Sequence, residues 1–382
     1  MQQSPVRPEY IDDGIKLISA REIASGKIDL INAPQISIDD FEKLSDKAKP
    51  KKNDLFLSKT GSIGFTAIVD TNEEFAITQN IAVIRLNDVE KQIPLFYLHQ
   101  MRTLSFQCKA ISVVNQSTIM DLQLGDIKAL EVSYGNAKEQ TKIASFLSAV
   151  DEKISQLTQK HELLSQYKQG MMQKLFSQQI RFKADDGREF GEWEETILSD
   201  VVDLFHGYQF RTSDFTSKGI AVIKIGNVIG NNLDLANLTY INENRLEDFK
   251  KFEIQNDDIL MSLTGNIGRI IEVKNKPFIL LQNYRVGKFI PLNESFLIKP
   301  FLKYLLASDL VFGRFTQLAN QSAQANFGKQ DMDKITVFYP SVSEQTKIAN
   351  FLSAIDQKIE VVAQQIEQAK QWKKGLLQQM FV

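Results

Sequence analysis

Two stretches decide how this chain is organised: EQTKIASFLSAVDEKI, Glu139–Ile154, and EQTKIANFLSAIDQKI, Glu344–Ile359. They lie 205 positions apart. The same offset relates KQGMMQKLF from Lys168 to KKGLLQQMF from Lys373, and GIKLISAREIASGKIDL from Gly14 to GIAVIKIGNVIGNNLDL from Gly219. It also pairs Asn115, Gln116 and Ser117 with Asn320, Gln321 and Ser322. DLFLSKTGSIG from Asp54 matches DILMSLTGNIG from Asp258 in a register one residue shorter. Separated segments sharing one offset mark a tandem duplication, globular part first and helical part second.

The helical parts follow from apolar spacing. Ile143, Leu147, Val150, Ile154, Leu157, Leu164, Met171 and Leu175 recur at alternating three- and four-residue steps, the seam of a coiled coil. His161 and Lys168 fall on that seam and interrupt it; His161 reads as a packed or partner-facing residue. The second copy runs Ile348, Leu352, Ile355, Ile359, Val362, Ile366, Ala369, Leu376 and Met380. Neither stretch contains proline, and only Gly170 and Gly375 weaken it. Two helices of about 38 residues, each about 57 Å long, are expected. A helix of that length exposes its seam unless partnered. Burying each seam side chain contributes about 1.5–3 kcal/mol, so pairing with its own duplicate is favoured. The intervening globular part makes an antiparallel pair the simplest arrangement, with a globular domain at each end.

The globular parts read as β-rich. Short strands are predicted at Ala221–Ile225, Ile259–Leu263 and Ile81–Leu86, with short helices at Phe96–Met101 and Phe301–Leu306. The two T-G-x-I-G elements read as tight turns. The fold class is therefore α+β, a tandem repeat of a β-rich domain followed by a long helix. The segments are 1–138, a first domain; 139–176, a first helix; 177–192, a polar connector; 193–343, a second domain; and 344–382, a second helix. The second domain opens with WEETILSDVVDLFHGYQFRTSDF from Trp193, whose counterpart at the common offset would precede residue 1. The first domain is thus expected to lack this opening segment.

Composition narrows the function. Charged residues make up 24% of the chain and hydrophobic residues 43%, an ordinary soluble balance, and no apolar run approaches the roughly 20 residues of a membrane span. With no secretory leader pattern in the opening MQQSPVRPEY, a cytoplasmic location is expected. One cysteine, Cys108, and three histidines argue against a disulfide framework and a metal centre. No phosphate-binding loop with its lysine, no nucleophile elbow and no Pro-Pro step of an adenine methyltransferase occurs. The chain reads as a binder with no catalytic residues.

Taken as an ordered, duplicated set, these segments resemble the specificity subunits of type I restriction-modification systems. They are the two EQTKIA helices ending in KLF or QMF, the connector IRFKADDGREFGEWEE from Ile180, the TGNIG turn and the Asn-Gln-Ser segments. The resemblance covers nearly the whole chain. It implies a non-catalytic subunit in which each globular domain reads one half of a bipartite double-stranded DNA site. The paired helices would set the spacing and dock two methyltransferase subunits, joined by motor-nuclease subunits. S-adenosylmethionine, ATP and Mg would belong to those partners, with no cofactor in this chain. The alternatives are a recognition subunit of a type IIB-like restriction enzyme, or a helical adaptor without DNA binding.

Bases are read by Arg or Lys toward guanine and by Asn or Gln toward adenine. In the second domain the candidate DNA-binding residues are His206, Tyr208, Gln209, Arg211, Thr264, Asn266, Arg269, Gln282, Asn283 and Arg285. In the first they are Lys59, Thr60, Ser62, Gln79 and Asn80. Asn115, Gln116, Ser117, Asn320, Gln321, Ser322 and Gln324 form the last polar cluster before each long helix.

Overall fold

A computed structural model describes residues 9–114, 120–229, 232–265, 267–321 and 326–381. The chain forms two compact units, one of residues up to Lys160 together with Val362 onward, the other His161–Val361. Both long helices are present, Ala137–Phe176 and Val342–Met380, and each unit contains part of each.

The core strand of the first unit is Leu55–Ser58. It pairs antiparallel with Thr66–Ile68 on one side and with Ile81–Ile84 on the other, Leu55 facing Ile68 and Ile84. Alternation sorts its side chains by face. Leu55 and Leu57 join Phe96, Met101, Phe106 and Ala144, whereas Phe56 packs with Ile18, Phe75 and Ile77. A second sheet carries a parallel pair, Leu17 against Ala76 and Ile18 against Ile77.

The second unit repeats this arrangement to the register. Ile259–Ser262 pairs with Ile270–Glu272 and with Val286–Pro291, Ile259 facing Glu272 and Phe289. Ile259 and Met261 face the cluster of Phe301, Leu305 and Ile348, and Leu260 faces Ile223 and Ile271. The parallel pair recurs as Val222 against Leu281 and Ile223 against Gln282. The second unit also has strands without a described counterpart in the first, two of which bear on the edges of its sheets. Val202–His206 adds a fourth strand to the edge of Val286–Pro291, and Glu194–Ile197 pairs antiparallel with Thr336–Tyr339.

Within each unit the helical segments are antiparallel. In the first, Asp151 binds Lys373 while Ile143 and Phe381 pack on the same cluster, so one segment rises as the other falls. In the second, Lys168 meets Asp356 at 2.6 Å and Arg181, just past the first helix, meets Glu344 at 2.6 Å. Lys168 and Lys373 are equivalent positions in the repeat, as are Asp151 and Asp356. The lysine that interrupts the apolar seam is therefore the partner of an aspartate on the facing helix. The buried seam matches the predicted spacing, through Leu147, Val150, Leu157 and Leu175, then Ile348, Leu352, Ile355 and Val362. Near the end of the second helix the buried residue is Leu377, and the predicted Leu376 is half-buried. His161 is half-buried as well.

Short elements fell close to their predicted places, at Ile81–Ile84, Ile220–Ile223, Ile259–Ser262, Pro94–Met101 and Lys299–Ala307. Both T-G-x-I-G elements are tight turns whose glycines adopt positive φ, 77° and 98° at Gly61 and Gly64, 71° and 85° at Gly265 and Gly268.

Candidate nucleic-acid interface

The backbone gathers several of the sequence-predicted polar residues at one end of each central sheet. In the second unit the Tyr208 N–H donates to the Gln282 carbonyl at 2.9 Å, and Tyr284 N–H donates to Tyr208 at 3.0 Å. Leu263 N–H donates to the Arg285 carbonyl, and Phe327 N–H to Leu263, both at 2.9 Å. Thr264 bridges Asn326. Four chain segments, around 208, 264, 284 and 326, thus meet. In the first unit Lys59 N–H donates to Asn80 at 2.8 Å, Leu122 N–H to Lys59 at 2.7 Å and Gly61 N–H to Met120 at 3.0 Å. Thr60 bridges Asp121, the position equivalent to Asn326.

Within this common frame the side chains differ. Gln209, Arg211 and Arg285 are exposed in the second unit, as are Ser62 and Gln79 in the first. The Arg285 guanidinium donates to its neighbour Tyr284 at 2.8 Å, which holds it extended along the ring. Arg269 is half-buried and donates to the Val228 carbonyl at 3.3 Å. His206 ends the strand Val202–His206, half-buried opposite Gly287. In the first unit Lys59 lies 3.5 Å from Asp121, and Thr60 donates to the same carboxylate at 2.6 Å. The Thr60 hydrogen bond, followed by the Lys59 charge, holds Asp121 below the usual carboxylate range. Thr78 donates to the Asn80 amide oxygen.

Three candidates serve the fold. Gln282 is fully enclosed, its amide donating to the carbonyls of Phe205 at 3.0 Å and Val286 at 2.7 Å. Asn283 is buried, and its side-chain oxygen accepts from Arg285 N–H at 3.2 Å. Tyr208 packs on Phe210, Phe249 and Phe252, with ring centroids 4.7–5.5 Å away. The Thr264 hydroxyl, beside the exposed Gly265, is buried with no hydrogen-bond partner among the described residues. Asn320 and Gln321 end the helix Asp309–Gln321. Asn115, Gln116, Ser117, Asn266, Ser322 and Gln324 lie outside the described residues. Sequence reasoning passed over Asp121 and Asn326, although the common offset superimposes them beside the candidates it did choose. Among the described residues, no group of three or more His, Cys, Asp or Glu could hold a metal ion. Nor is any helix there long and apolar enough to cross a membrane.

A duplicated β-rich domain, each copy joined to a long helix and presenting a loop cluster at its sheet end, defines a tandem two-domain architecture. The chain belongs to the type I restriction modification DNA specificity domain family, which it matches over residues 11–166 and 191–371. It is 31% identical over 251 residues to the type I restriction enzyme MjaVIII specificity subunit of Methanocaldococcus jannaschii, spanning 63% of this chain and 58% of that protein. It is 21% identical over 378 residues to the EcoBI specificity subunit of Escherichia coli, covering 94% of this chain and 76% of that one. The fold is shared with the type I restriction-modification S subunit from M. genitalium, with a TM-score of 0.60 at 16% identity, over 98% of this chain and 90% of the other.

Proposed function

We propose that this chain selects the DNA sequence at which a type I restriction-modification complex acts, each globular domain reading one half of a bipartite duplex site. One observation carries this reading. Where residues of both are described, the two units share the backbone pairings of a loop frame while exchanging the side chains on it. Lys59 takes the place of Leu263, Gln79 that of Tyr284 and Asn80 that of Arg285. A shared backbone with exchanged hydrogen-bonding groups suits two readers addressing different bases.

The helical segments support the docking of methyltransferase subunits. Phe146 and Trp372 form an exposed edge-to-face pair in the first unit, 5.8 Å between centroids, and Leu163, Tyr167 and Val361 are exposed in the second. Exposed aromatic and aliphatic groups on an otherwise polar helix suit a protein partner. S-adenosylmethionine, ATP and Mg would enter with the methyltransferase and motor-nuclease subunits, and the complex would work in the cytoplasm. A net charge of −2 fits a reader whose partners neutralise much of the phosphate.

The test is to co-express the chain with its methyltransferase partner and map methylated bases in Gln209→Ala and Arg211→Ala variants. Each lost base contact should weaken one half-site by about 1–3 kcal/mol, leaving the other half-site unchanged. Unaltered specificity in both variants removes these residues from the reading surface.

A further inference from the structure

A turn that none of the candidate DNA-binding residues occupies is built into the loop frame of both units. In the second it is residues 224–227, directly after the strand Ile220–Ile223; in the first it is residues 19–22, directly after Ile15–Ile18. The two copies repeat the same bonds. Asn283 N–H donates to the Ile223 carbonyl at 3.1 Å, and Thr78 N–H to that of Ile18 at 2.9 Å. Each turn therefore starts beside a segment of the frame. It closes through Asn227 N–H to Lys224 at 2.9 Å, and through Glu22 N–H to Ser19 at 3.2 Å. Its exit is held by Asp234 N–H to Asn227 at 2.7 Å, and by Asp29 N–H to Glu22 at 2.9 Å. A side chain locks it from within: Asn227 Oδ1 accepts from Lys224 N–H at 3.0 Å, and Glu22 Oε2 from Ser19 N–H at 2.9 Å.

On this constant backbone the cation moves. The second copy reads Lys-Ile-Gly-Asn and the first Ser-Ala-Arg-Glu, so Lys224 faces Ser19 across the repeat and Arg21 faces Gly226. The Lys224 Nζ lies 4.1 Å from the centroid of the Phe215 ring. A ring steadies an ammonium without neutralising it. Arg21 is exposed. Among the described residues neither forms an ion pair, whereas the candidate Lys59 is held by Asp121. The Glu22 carboxylate beside Arg21 is turned to Ser19, whose hydroxyl donates to it at 2.6 Å.

We infer that this turn grips the DNA backbone in both domains, Lys224 in the second and Arg21 in the first each neutralising one phosphate of the duplex. The inference rests on the reading of the chain as a DNA-specificity subunit. The exchange itself selects phosphate over base. Two domains that read different bases have no reason to keep a base contact in common, yet both turns keep a cation. Phosphates line every half-site whatever its sequence, and they accept from lysine or arginine alike. A shift of two residues along a tight turn still reaches such a target, whereas a bidentate base contact needs one side chain in one place.

The experiment measures duplex binding by the full chain in complex with its methyltransferase partner, from about 50 to about 200 mM salt. The duplexes carry the methylated site or single base-pair changes in it. Lys224→Gln and Arg21→Gln should each make the slope of log affinity against log salt shallower by about 0.9, and weaken binding roughly five- to tenfold near 100 mM. The loss should be the same for every duplex. Gly226→Arg in the Lys224→Gln chain should restore the slope, because a Cβ at Gly226 meets nothing within 4 Å. Three results would overturn the inference: wild-type slopes in both variants, a loss confined to one base pair of the site, or a loss that Gly226→Arg leaves unrepaired. The last would assign Lys224 a structural role on Phe215. A wild-type complex whose binding ignores both salt and sequence would overturn the specificity reading along with it.

Discussion

At the residue scale, the glutamine of each EQTKIA stretch has a structural role that the sequence did not reveal. Gln345 is buried, accepts from Ile298 N–H at 2.9 Å and donates to the carbonyls of Phe296 at 2.6 Å and Pro340 at 2.8 Å. Gln140 makes the same three bonds, to Ile93 at 3.0 Å, Lys91 at 3.1 Å and Gly135 at 2.8 Å. Each ties the start of a long helix to the loop before the domain's amphipathic helix. Gln345→Leu should destabilise the chain by about 3 kcal/mol, because buried backbone groups lose their partners. Urea unfolding measures this, and a loss below about 1 kcal/mol would deny the role. His99 offers a contrast between the repeats, for its equivalent is Tyr304. Burial pushes the His99 imidazole down to about 4, against the opposing pull of Asp151, with Lys373 and Arg102 adding to the depression. Tyr304 instead donates its hydroxyl to Asp356 at 2.8 Å. A histidine depressed in the folded state takes up its proton on unfolding. Its stability contribution is therefore complete above about pH 6.5 and declines by about 3 kcal/mol as the pH falls to 4. His99→Tyr should flatten this acid limb in a series of urea midpoints; an unchanged slope would assign the limb to other groups. The periodicity of the helices was legible in the sequence. The burial of Gln140, Gln282 and His99 was not, because polar residues at surface-like spacings become internal only when distant loops close over them.

At the scale of elements, each seam combines apolar packing with a charged pair between the helical segments. Asp356 lies below the usual carboxylate range even though burial opposes ionisation, because Lys303, Lys168 and Tyr304 together outweigh that effect. The seam's heptad spacing makes it extensible. Seven residues inserted after Lys160 and again after Val361 would keep every apolar position in phase and add about 10 Å. If the helices set the half-site separation, methylome mapping of this variant should show both half-site sequences intact and the gap widened by about three base pairs. Methylation at the original spacing would exclude the ruler. The strands give the complementary lesson. EVSY and TVFY have the same alternation, yet only the second forms a strand, since only it has Glu194–Ile197 beside it. Pattern supplies a face, and a partner supplies the hydrogen bonds.

At the scale of the whole molecule, the duplication was legible because one offset ran through separated segments, and the fold repeats it down to strand register. The division into compact units was less legible. Linear segments at 138 and 193 separate domain from helix, whereas the compact units divide both helices, each holding a part of either. Antiparallel pairing causes this, for it brings the end of one helix against the start of the other. The reading surface was legible only as a list of polar residues. Which of them meet depended on backbone hydrogen bonds between segments far apart in sequence. The most direct test of the central claim is the methylome of a methylation-free host expressing this chain with its methyltransferase partner. We predict methylated adenine confined to a single bipartite sequence, lost when this chain is withheld. A soluble complex that leaves the genome unmethylated, or the same methylation without this chain, would contradict the account.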